Sequence, residues 1–179
     1  MGSDNQMYDA INQASQRYPW MKRFGGKVAL TQGTGAGESE SYMPGAPDNP
    51  KPGNYTVQLR KASNDPSYWP ALLGRESIDW LARSDPAYQA VRQAFINSMT
   101  HQQRTASQGA YARDKKDFPG GVSSNFDDWM RDVQAQEYIG AYLVPESSPG
   151  WTGPNGEGQY TPEQIQMLDR LKQHLNQGQ

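Results

Sequence analysis

The residues best placed to do chemistry lie in the segment Leu72-Leu73-Gly74-Arg75-Glu76-Ser77-Ile78-Asp79. It has the shape of the zinc-peptidase motif His-Glu-x-x-His, in which two imidazoles one helical turn apart hold the metal and the Glu activates water. Here Arg75 and Asp79 occupy the two ligand positions, and only Glu76 matches. An arginine does not ligate a cation, so no metal site is expected on this helix. Glu76-Ser77 also matches the Glu-Ser pair of lytic transglycosylases, where one Glu in an apolar pocket serves as general acid and base. The later Gly-Leu-Met-Gln signature of those enzymes is absent. Glu76 is therefore the one catalytic candidate, set against a solvated or capping carboxylate.

Other patterns exclude more than they offer. The run Gly33-Thr34-Gly35-Ala36-Gly37 has the glycine content of a phosphate cradle, but no Lys-Ser/Thr follows and no helix start succeeds it. Glu38 and Glu40 could form the carboxylate pair of a glycosidase, or simply sit in solvent. Cysteine is absent and there are two histidines, His101 and His174, so thiolate zinc sites, disulfides and a three-histidine centre are excluded. No cofactor and no metal are expected. Lys115-Lys116 and Arg60-Lys61 are too sparse for a nucleic-acid footprint, and 17 basic against 19 acidic residues leave a net charge of −2. No apolar run reaches the length of a membrane helix, and no signal-peptide pattern opens the sequence.

Five tryptophans, ten tyrosines and four phenylalanines must find cover in a chain only 35% hydrophobic. Trp80 and Trp129 fall on apolar helix faces. Trp20, Trp69 and Trp151 adjoin proline or glycine in connectors, where each could anchor onto this chain or onto a neighbour. Tyr42, Trp69 and Trp151 are the interaction candidates.

The elements that position these residues follow from period and punctuation. Residues 4–24 read as a helix broken late by Pro19, and Lys27–Thr31 as a short strand. Residues 33–53 form a Gly/Pro/Ser/Asn-rich stretch longer than compact domains usually leave unstructured. Tyr55, Val57 and Leu59 alternate with Thr56, Gln58 and Arg60, the best strand pattern in the chain. Helices are then expected from Ser67 or Tyr68 to Arg83, from Asp85-Pro86 onward, from a Thr100/Gln103 capping box to about Asp117, and from a Ser124/Asp127 box to Leu143. Residues 145–158 form a Gly/Pro/Ser connector, and Thr161-Pro162-Glu163-Gln164 opens a last helix striped by Ile165, Leu168 and Leu175. The expected fold is α+β and mainly α: a helical core with a small two-stranded β element and long Gly/Pro-rich arms. Residues 1–26 would form an N-terminal helical arm and residues 27–179 a single domain. Its core would gather the helices of Trp80, Phe95, Trp129 and Leu168.

Several short motifs resemble those of virion-region proteins of tailed bacteriophages and prophages. They are Glu40-Ser41-Tyr42-Met43-Pro44-Gly45, Asp48-Asn49-Pro50-Lys51-Pro52-Gly53 and the strand ending at Leu59. Leu72 through Asp79, Asp85-Pro86-x-Tyr88 and Ser98-Met99-Thr100 continue the pattern. So do Phe126-Asp127-Asp128-Trp129, Tyr138-Ile139-Gly140-Ala141-Tyr142-Leu143 and Tyr160-Thr161-Pro162-Glu163-Gln164. Together they span residues 38–175. Relatives of this kind often carry His at the position of Asp79, so the resemblance also implies a degenerate metallopeptidase-like helix.

The resemblance implies a non-enzymatic, virion-associated structural or ancillary protein: a tail, connector or internal component, made in the bacterial host cytoplasm. Its partners would be other copies of itself and neighbouring virion proteins, because symmetric assembly can order arms that a monomer cannot. The alternatives are a cell-wall-degrading or metallopeptidase-like enzyme centred on Glu76, and a small host-binding factor.

Overall fold

A computed structural model describes residues 2–23, 27–31, 39–42, 56–60, 66–151, 153 and 160–177, with side chains described for 5–22, 66–151, 153 and 160–177. Among the residues with described side chains, 84% are helical and none lies in a strand. The expected α+β class with a two-stranded element is thereby corrected: every described side chain that builds a core belongs to a helix, a helical turn or a connector. The backbone of three further segments, β1 (Lys27–Thr31), β2 (Ser39–Tyr42) and β3 (Thr56–Arg60), pairs in the order β1-β3-β2. β1 runs parallel to β3 and β2 antiparallel to it. A parallel pair needs a long crossover rather than a hairpin. That crossover contains Ser39–Tyr42, so no isolated two-stranded ribbon is found. The remainder of the expected 33–53 arm lies outside the described residues.

The chain divides into two compact units, residues 1–86 with 173–179, and residues 87–172. This differs from the expected division into an arm (1–26) and one domain (27–179). The reason lies in the first unit. Helix α1 (Gly2–Arg17) buries Ala10 and Ala14, Tyr18 just past its end continues the four-residue spacing, and a 3-10 segment, Pro19–Arg23, follows. Trp20 of that turn is 1% exposed, and its Nε1 donates to Ser77 Oγ at 2.7 Å on α2 (Trp69–Ser84). Ser77 Oγ in turn donates to the Gly74 carbonyl at 2.6 Å. Tyr18 lies across Gly74 so closely that a Cβ there would stand 2.5 Å from Tyr18 Cε2. Residues 5–22 are thus packed onto α2 and form no free arm.

In the second unit, α3 (Pro86–Ser98) contributes Tyr88 and Phe95 to the core. α4 (His101–Asp117) opens on the expected Thr100/Gln103 box and buries only Gln103, Ala106 and Ser107. The next helix starts one residue later than the Ser124/Asp127 pattern predicts. Asn125 caps α5 (Phe126–Trp129), its Oδ1 accepting from Asp127 N at 2.8 Å and Asp128 N at 3.2 Å. Asn is as good an acceptor here as Ser, and its neighbour Ser123 already holds Asn125 N. The helix then widens into a π turn, Met130–Gln134, before α6 (Ala135–Leu143). α7 (Pro162–Gln177) begins at the expected Thr161/Gln164 box. Phe95, Trp129 and Leu168 are buried in this unit, and Trp80 is buried in the first.

Candidate aromatic binding cleft

A cleft of about 390 Å³ opens in the second unit where α6 ends. α6 places Tyr138 and Tyr142 one turn apart, so both rings emerge on the same side. Val144 stops the helix, its N–H donating to Gly140 O at 2.8 Å, and Pro145–Ser147 follows as a 3-10 turn. Ser148-Pro149-Gly150-Trp151 then reverses the chain. Trp151 N donates to Ser148 O at 3.1 Å, and Gly150 sits at φ 71°. Pro second and a left-handed Gly third is the type II pattern, which a side chain at position 150 would strain. The turn sets the Trp151 ring edge-on to buried Tyr138, at 4.9 Å and 89°. Tyr160, just before the α7 cap, crosses Tyr142 at 5.4 Å and 75° and Tyr138 at 6.0 Å and 79°. Such edge-to-face pairs fix ring orientation as well as adding attraction.

The hydroxyls of Tyr142 and Tyr160 are committed inward. Tyr160 OH donates to the Tyr138 carbonyl at 2.7 Å, and Tyr142 OH donates to the Asp169 carboxylate on α7. Partial burial, the hydrogen bond to Asp169 and that carboxylate's charge together push the Tyr142 hydroxyl up to about 12. The cleft is lined by Tyr142, Trp151 and Tyr160, with Pro145, Ser148 and Lys172 beside them.

The sequence-derived candidates are distributed differently. Trp151 lines the cleft. Trp69 is 2% exposed at the start of α2, so this connector tryptophan anchors the chain on itself, as Trp20 does. Tyr42 closes β2, and its side chain lies outside the described set. Glu76 is half-buried on α2 with Oε2 enclosed, between half-buried Arg75 and fully buried Ser77. The hydroxyl of Ser77 is engaged by Trp20 and Gly74, so the Glu-Ser pair is built into the packing of α1 on α2. His101 and His174 are both exposed. Among the described residues no group of three or more His, Cys, Asp or Glu could hold a metal ion, and no helix is long and apolar enough to cross a membrane. Gly33–Gly37 and Glu38 lie outside the described residues.

A second, more polar cleft of about 350 Å³ is lined by Gln93, Asn97, Arg104, Asp127, Asp128 and Arg131. Its two arginines are already engaged. Arg131 forks onto Asp132 at 2.8 and 3.0 Å and reaches Asp128 at 3.5 Å, while Arg104 donates to Ile96 O at 2.6 Å. Sequence reasoning missed Tyr142, Tyr160 and Lys172. The signal was the i,i+4 tyrosine pair on α6, followed by Trp151 and Tyr160 on either side of a Gly/Pro connector. No family model, curated protein or solved structure matches this chain.

Proposed function

We propose that this chain is a non-enzymatic, virion-associated structural or ancillary protein of a tailed bacteriophage, and that it acts by binding other protein chains. The observation that carries the binding role is the aromatic cleft. Its tyrosine hydroxyls are spent on Tyr138 and Asp169, so it offers ring faces and a single cation to whatever enters. Aromatic surface framed by a few polar groups is the composition of protein interaction sites, where Trp and Tyr carry much of the binding energy. The virion assignment rests on the motif resemblance across residues 38–175, and places the protein in particles assembled in the bacterial host cytoplasm.

Mass spectrometry of gradient-purified particles tests the virion role. Peptides of this chain at stoichiometric levels are expected. Their absence from particles, with the protein present in the infected-cell lysate, overturns it.

A further inference from the structure

We propose that the aromatic cleft receives the proline-rich segment 43–53 of a second copy of this chain, joining copies head to tail. The inference rests on the protein-binding reading of the cleft and names its occupant. The segment reads Met43-Pro44-Gly45-Ala46-Pro47-Asp48-Asn49-Pro50-Lys51-Pro52-Gly53. Pro44, Pro47 and Pro50 recur every third residue, and a polyproline II helix has three residues per turn. Bound in that conformation, the segment would present three prolines along one edge, about 9 Å apart at a rise of about 3.1 Å per residue.

Proline-rich edges are bound by aromatic-lined grooves because the ligand is already extended and loses little entropy on docking. The cleft has the parts such a ligand needs. Tyr142, Trp151 and Tyr160 supply ring faces at fixed angles, and their mutual packing resists collapse into the empty groove. The Trp151 indole carries an N–H donor at the cleft, and proline-rich backbone is rich in carbonyls not spent on helix or sheet bonds. Lys172 stands exposed at the rim. Asp48, the only charged residue between Pro44 and Pro50, supplies the complementary anion. Cleft and segment are different surfaces of one chain, so the contact is heterologous and builds rings or filaments rather than a closed two-fold dimer.

The test uses the full chain and a synthetic peptide of residues 40–53, followed by the indole N–H signals in NMR. Binding is expected to shift the Trp151 signal. Trp151→Ala should weaken binding roughly thirtyfold, the loss expected of an anchoring aromatic. A peptide with Pro44, Pro47 and Pro50 all changed to Ala should lose binding, a comparison that leaves the protein untouched. Lys172→Glu should weaken the native peptide, and an Asp48→Lys peptide should recover affinity for that variant. Sedimentation velocity of the full chain should show concentration-dependent species that excess peptide dissolves. No shift at Trp151, equal binding of the triple-alanine peptide, or a monomer at every concentration overturns the proposal. Each of these results is independent of whether the protein is found in particles.

Discussion

Gln103 and Gln164 face each other as a closed amide pair: Gln103 Nε2 donates to Gln164 Oε1 at 3.0 Å and Gln164 Nε2 donates to Gln103 Oε1 at 2.8 Å. Each is also the glutamine of its own capping box. Gln103 Oε1 accepts from Thr100 N at 2.9 Å, and Gln164 Oε1 accepts from Thr161 N at 3.0 Å. Both side chains are buried, at 3% and 0% exposure. One pair of amides thus satisfies two helix starts and each other, which makes a polar pair tolerable in a core.

Removing one member leaves the other's carboxamide buried and half-paired. Gln103→Ala and Gln164→Ala should each cost about 1–3 kcal/mol. The double substitution should cost less than their sum, because the second removes an amide that has already lost its partner. A double-mutant cycle by urea unfolding measures this. Strict additivity would show that the two amides do not depend on each other.

Gly74 poses a contest between local propensity and packing. Alanine in a helix interior gains about 1 kcal/mol over glycine. Yet the new methyl would stand 2.5 Å from Tyr18 Cε2 and 2.6 Å from Cδ2, on a ring that is 3% exposed and has little room to move. Overpacking of this kind costs about 1–3 kcal/mol, so Gly74→Ala should destabilise despite the helix gain. Adding Tyr18→Leu should recover part of the loss. A rise in thermal midpoint for Gly74→Ala alone would show that α1 does not pack where it is described.

These two sites mark what was legible in the sequence. The capping boxes were, because a Thr and a Gln three residues apart satisfy orphan amides locally, whatever the rest of the chain does. Their mutual pairing was not, since it joins positions 61 residues apart. Likewise Gly74 read as part of a catalytic-looking motif, whereas its role is to let Tyr18 approach. Trp151 was visible as an aromatic beside Pro-Gly. The cleft around it needed Tyr160 and Lys172, which periodicity alone does not bring to the end of α6. Lys27–Thr31 and the Val57/Leu59 segment carried strand patterns, but Ser39–Tyr42, which pairs with the latter, did not, and β pairing is set by crossovers that sequence period does not encode.

Gln134 offers the reverse of the glutamine pair. It lies in the π turn, 5% exposed, and its Nε2 has no hydrogen-bond partner among the described residues. An unsatisfied buried donor carries a desolvation cost of about 1–3 kcal/mol, and an apolar side chain of similar shape removes it. Gln134→Met should therefore leave stability unchanged or raise it, in contrast to Gln103→Ala. Chemical denaturation decides between them. A loss comparable to that of Gln103→Ala would mean that the Gln134 amide is engaged after all.

Tyr142 should make folding sensitive to alkali. Its hydroxyl moves from 10.0 in the unfolded chain to about 12 in the folded one, through partial burial first and then the Asp169 carboxylate that accepts its proton. Because the folded state holds the proton more tightly, the stabilising contribution is complete below about pH 10. It declines as pH rises toward about 12, where the folded hydroxyl also ionises and a phenolate would face the Asp169 carboxylate. The wild type should lose more stability over that interval than Tyr142→Phe, which has no proton to release. Ultraviolet titration of the phenolate band should show one tyrosine fewer at the high end of the curve in Tyr142→Phe. If the missing tyrosine instead falls in the ordinary range, the hydroxyl is not held by Asp169 and the cleft wall is not fixed in the way described.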